Sequence, residues 1–155
     1  MIVWLNKELL LAIHDRQLAE HGGTSGVRDD ALLESALARP QQLHAYGSPD
    51  IADLAATLAY GLARNHPFVD GNKRSAAVAC ETFIELNGAS LEVADLDLFP
   101  VYLALAEGKL SEQDFAAWLR PRIQPRAPGE IHEPSQAYRT RRRSRAAKSR
   151  VQTRK

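Results

Sequence analysis

The chain has 155 residues, 45% hydrophobic and 25% charged, enough for one globular core with little room for a second. Its single cysteine, Cys80, excludes a disulfide framework and points to a reducing, cytoplasmic setting. Residues 1–120 hold 9 Lys and Arg against 17 Asp and Glu, a net charge of −8, whereas residues 121–155 hold 11 against 2, a net of +9: an acidic body with a basic tail.

Apolar residues recur at helical spacing along most of the body, and the expected fold is all-α, a compact bundle of about six helices with at most a minimal two-stranded β element. A first helix is predicted from about Asn6 to His21, capped by Asn6, burying Leu9, Leu10, Ile13 and Leu18, and stopped by Gly22-Gly23. Its apolar run, Leu9 to Ile13, is too short and too closely flanked by Glu8 and His14 for a signal peptide or a membrane span. A second helix covers about Asp30 to Ala38 and ends before Pro40. The third is announced by Ser48-Pro49-Asp50 and reaches about Arg64.

A fourth helix runs from about Asn72 to the Asn87-Gly88 stop, with Ala76, Ala79, Cys80, Phe83 and Leu86 on one face; so apolar a helix belongs at the centre of the bundle. Leu91 to Val93 reads as a short strand whose expected partner is Ile2 to Trp4. A fifth helix begins near Asp95 to Asp97 with Pro100 in its first turn, and a sixth follows the Ser111–Asp114 capping box. These elements place one domain at residues 1–121. Residues 122–155, rich in proline and arginine and poor in large apolar groups, read as a disordered basic tail able to contact nucleic-acid phosphates weakly.

The chemistry concentrates in "NHPFVDGNKRSA", residues 65–76. The first turn of a helix has unpaired N–H groups and a partial positive charge. Gly71 opens the backbone there, Lys73 and Arg74 add two cations, and Asn72 caps the helix or shapes the loop, so the turn suits a nucleotide phosphate. Asp70, a lone carboxylate at the edge of such a site, suits Mg2+, which keeps most of its waters and bridges to phosphate oxygens. His66 supplies an imidazole able to accept a proton, as a hydroxyl attacking phosphorus requires, and Phe68 between the two anchors the loop in the core.

By themselves His66 and Asp70 would be an ordinary loop histidine and a capping aspartate. The run Gly71, Asn72, Lys73 and Arg74 directly after them turns the reading toward phosphoryl or nucleotidyl transfer. A zinc site is not supported, because no cysteine or histidine lies at ligand spacing. His14, His21 and His44 have no such company and read as surface or ordinary helix residues, and Cys80 as core.

"HPFVDGNKR" resembles the H-x-F-x-[DN]-[AG]-N-K-R motif of the death-on-curing (Doc) toxins, a branch of the Fic superfamily, and "EHGGTSGVRDDALLESALARP" resembles their N-terminal region. The resemblance covers about residues 1–120. It implies a helical fold, His66 as the catalytic histidine, Asp70 as the Mg2+ ligand and Gly71 to Arg74 as the phosphate-binding turn. It also implies a toxin neutralised by a separate Phd-like antitoxin that docks in a groove near the site.

Enzymes of the wider superfamily that transfer AMP carry H-P-F-x-x-G-N-G-R-x-x-R. Here Lys73 replaces the second glycine and Ala77 the last arginine. That departure resembles the Doc type, which implies a kinase passing the γ-phosphate of ATP to a hydroxyl of a translation factor, elongation factor Tu by family expectation. A self-inhibitory [ST]-x-x-x-E-[GN] segment is absent, since the residue four before Glu107 is Leu103. The alternatives are AMP transfer, or a non-catalytic protein that binds nucleic acid or the ribosome through its tail.

Overall fold

The structure, a computed structural model, describes residues 1–126; the rest of the predicted tail lies outside the described residues. Six α-helices dominate: α1 (Lys7–His21), α2 (Asp30–Tyr46), α3 (Ile51–Asn65), α4 (Asn72–Leu86), α5 (Asp95–Ala106) and α6 (Glu112–Leu119). Two short strands, β1 (Ala89–Leu91) and β2 (Ile123–Pro125), form an antiparallel pair. The all-α reading therefore stands. No helix among the described residues is long and apolar enough to cross a membrane.

Local chemistry explains the helix ends. The Asn6 side chain accepts from the Leu9 amide at 2.8 Å, and the Ser111 hydroxyl from the Asp114 amide at 3.0 Å. α3 is capped by Asp50, whose carboxylate accepts from the Asp53 amide while Asp53 accepts from the Asp50 amide. The helix thus starts at Ile51 and not at the expected Ser48-Pro49, because a reciprocal box satisfies two amides where a serine would satisfy one.

α3 is the most enclosed helix, buried along most of Ala52 to Ala63, and it packs against α2, α4, α5 and α6. Its five alanines let those neighbours approach closely. α4 lies beside it and buries Ala76, Ala79, Cys80, Phe83 and Ile84 against the same core, while Leu86 is 40% exposed. Phe83 and Phe115 are fully buried, each stabilising by roughly 2–3 kcal/mol.

The structure departs from the sequence expectations elsewhere too. α2 continues through Pro40 to Tyr46. A helix-interior proline loses one backbone hydrogen bond at a cost of about 3 kcal/mol. Pro40 is itself buried with Leu33 and Leu37, and beyond it His44 meets the Trp4 ring edge-on at 5.5 Å, so packing on both sides outweighs the loss. Pro100 likewise lies inside α5, not in its first turn.

The strand at 89–91 pairs with Ile123–Pro125, with Leu91 opposite Ile123, instead of 91–93 pairing with Ile2–Trp4. The Val3 backbone is held instead by the Asn87 side chain, in bonds of 2.9 and 3.0 Å. Regular structure thus passes the expected boundary at residue 121, because Ile123 supplies an apolar cross-strand partner that the average composition of the tail conceals.

Arg120 closes the bundle by binding Asp50 at 2.6 Å and Asp53 at 2.9 Å. The guanidinium beside it, helped by Asp53, holds the Asp50 carboxyl down at about 2. A depressed folded pKa contributes stability that stands in full above the ordinary carboxylate range near ~4 and is lost as pH falls through the folded value. Arg120→Ala is therefore expected to move the Asp50 midpoint from about 2 up toward 3.8 in an NMR carboxyl titration. The stability lost at pH 7 should stay under about 1 kcal/mol, because the pair is half exposed.

Candidate active site

The last carbonyls of a helix have no intrahelical partners. α3 ends in His66, which caps it in the left-handed region (φ 48°, ψ 57°), the one non-glycine residue of positive φ among the described residues. Pro67 follows, with no N–H to give and a ring that discourages helical backbone before it. A conformation of this kind costs about 1–3 kcal/mol and persists only where the surroundings enforce it. The Pro67 carbonyl accepts from the Arg28 and Asp29 amides at 2.7 and 3.1 Å, and the Arg28 guanidinium bonds the carbonyls of His66 and Asn65, each at 2.7 Å. The imidazole itself is exposed, with no hydrogen-bond partner among the described residues.

Phe68 is 1% exposed and makes an antiparallel bridge to Val27. The Asn72 side chain grips its backbone from both sides, accepting from the Phe68 amide and donating to the Phe68 carbonyl, both at 2.9 Å. Of the two uses expected for Asn72, the structure has the loop-shaping one. The N-cap of α4 is Gly71 at φ 74°, a backbone most side chains avoid, and no side chain caps the helix. Its first-turn amides are left for another acceptor.

Asp70 is exposed at this end; its Oδ1 accepts from the Gly71 amide at 2.8 Å and its Oδ2 from the Thr24 amide at 3.2 Å. A Cβ on Gly23 would lie 2.8 Å from Oδ2, so glycine there is what lets the turn after α1 reach the carboxylate. The Thr24 amide first and the Gly71 amide second, with Arg74 and His14 behind them, hold the Asp70 carboxyl below the usual range. Each oxygen accepts one of these bonds and keeps a further lone pair. An ionised carboxylate with spare lone pairs beside a turn of amides fits Mg2+ carrying phosphate, and no group of three metal-ligating side chains occurs among the described residues. Lys73 is exposed, and Arg74 is half-buried with its Nη1 buried and without a partner. A buried guanidinium nitrogen without an acceptor suits an anionic ligand.

The structure therefore brings His66, Phe68, Asp70, Gly71, Asn72, Lys73 and Arg74 into one junction between α3 and α4. His14 belongs with them, against its expected role as a surface or ordinary helix residue. It is 2% exposed, stacks face to face on Phe68 (3.7 Å, 5°) and places Nε2 2.8 Å from the Asp70 carbonyl. A carbonyl can only accept, so Nε2 carries the hydrogen. A signal existed: residues 10, 13, 14 and 17 share one helical stripe, and all four are buried. Arg28 belongs there as well, and no local pattern in the sequence marks it.

The bundle and this junction define a class of protein in which one helix closed by histidine and the next opened by glycine present a polar loop at their shared end. The Fic/DOC family matches residues 4–84. Toxin Doc of Mycolicibacterium smegmatis is 50% identical over 80 residues, which make up 50% of this chain and 60% of that protein. Protein kinase doc of Escherichia phage P1 is 32% identical over 121 residues, 75% of this chain and 92% of that protein. The chain belongs to the Fic/DOC family, on its Doc toxin branch.

Proposed function

We propose that this protein is a Doc-type toxin that transfers the γ-phosphoryl group of ATP to a hydroxyl of a translation factor, elongation factor Tu being the first target to test. The observation that carries the reading is the uncapped amino end of α4, where Gly71 starts the helix and Arg74 buries a partnerless nitrogen. The β- and γ-phosphates bind the free amides with Lys73 and Arg74. Asp70 would hold Mg2+ against them, an ion that supplies neutralisation of phosphate charge.

His66 accepts the proton of the attacking hydroxyl. The new bond forms between that oxygen and the γ-phosphorus, the bond from the γ-phosphorus to the β–γ bridging oxygen breaks, and ADP leaves. Lys73 in place of glycine, Ala77 in place of arginine, and the kinase name of the phage P1 relative support γ-transfer over AMP transfer. Control then falls to a separate Phd-like antitoxin docked in a groove near the site.

Incubation with a translation extract and ATP labelled at either the α or the γ position tests the reading. Label is expected in protein from γ only. Label from α alone would make the protein an AMP-transferase.

A further inference from the structure

We propose that Arg28, outside the motif and 38 positions before His66 in the chain, is the positioning residue that holds the catalytic histidine in its working backbone conformation. The proposal rests on the reading of His66 as the base. His66 occupies a left-handed conformation although it is not glycine and precedes proline. The last carbonyls of a helix have no intrahelical donors, so the end of α3 needs donors from elsewhere to hold this turn. The side chain of Arg28 supplies them. Nε donates to the His66 carbonyl and Nη2 to the Asn65 carbonyl, both at 2.7 Å, a cation on the negative end of α3.

The clamp is itself immobilised. The Arg28 amide donates to the Pro67 carbonyl at 2.7 Å, Val27 bridges Phe68, and Asp29 next to it caps α2 by accepting from the Leu32 amide at 3.0 Å. Asn65 is tied from the other side through its Nδ2 to the Leu32 carbonyl at 3.1 Å. The start of α2 and the end of α3 are thus fastened at the residue whose ring must meet the substrate. Two adjacent carbonyls need a planar fork, which arginine has and lysine lacks. The phosphate cradle on α4 shares none of these bonds, so Arg28 governs the rate of transfer and not the affinity for ATP.

The test uses the full chain, ATP labelled at the γ position and a translation extract as acceptor, comparing wild type, Arg28→Ala, Arg28→Lys and His66→Ala. Both Arg28 variants are expected to lose about 10- to 100-fold in rate at saturating ATP, with the KM for ATP within about twofold of wild type. Added guanidinium, far below denaturing concentration, is expected to restore part of the rate in Arg28→Ala and none in His66→Ala. Wild-type rates in both Arg28 variants, with His66→Ala inactive, would overturn the positioning role and leave the enzyme reading standing. A rate loss that follows thermal stability, raises KM equally and ignores guanidinium would also overturn it, making Arg28 a fold residue only. Full activity in His66→Ala would overturn the reading beneath it.

Discussion

His66→Ala is expected to lower γ-phosphoryl transfer by about 100- to 10,000-fold, the range that a positioned proton acceptor supplies. Its ring is exposed and the polar contacts of its neighbourhood run through the backbone carbonyl, which alanine retains. Stability should therefore change by no more than about 0.5–1 kcal/mol, since the main loss is a poorer fit to left-handed backbone. His66→Asn is the cleaner variant, because asparagine tolerates that backbone better than alanine. Circular dichroism and a thermal melt check the fold, and the labelled-ATP assay and growth arrest on expression check the activity. A folded His66→Ala protein that still transfers phosphate or still stops growth would remove the histidine from the chemistry.

Phe68→Ala carries the largest expected effect on stability, about 3–5 kcal/mol, because a fully buried aromatic ring leaves a cavity that a helical core collapses into only partly. A domain of this size is stable by only about 5–15 kcal/mol, so a substantial fraction is at stake. The ring is also the surface on which His14 stacks, and His14 holds the carbonyl of Asp70. The loss should thus reach the site, weakening magnesium-dependent ATP uptake even in the fraction that remains folded. Urea unfolding measures the first effect and calorimetric titration with Mg-ATP the second. Phe68→Leu should cost much less in both. A Phe68→Ala protein with an unchanged urea midpoint would show that the motif loop is not anchored through this ring.

Much of the junction was legible in the residues because its chemistry is local. Glycine at 71 and cations at 73 and 74 mark a helix start open to anions whichever way the rest of the chain folds, and the caps at Asn6 and Ser111 work within one turn. The role of Asn72 was readable only as two alternatives, since whether its amide caps the helix or grips Phe68 depends on the path of the loop. His14 lies on an apolar stripe, but its role is not local, because its partners, Phe68 and Asp70, are more than fifty positions away.

The amino-acid sequence by itself determined the helical class, most helix ends and the motif in which the candidate chemistry lies, because periodicity, caps and short-range charge act over a few residues. Only the tertiary structure decided that α2 runs through Pro40, that β1 pairs with residues 123–125, and that Arg28 and His14 grip the loop. Those outcomes turn on packing and hydrogen bonds between segments tens of residues apart. Nothing in a local pattern names the carbonyl that a distant guanidinium or imidazole will reach.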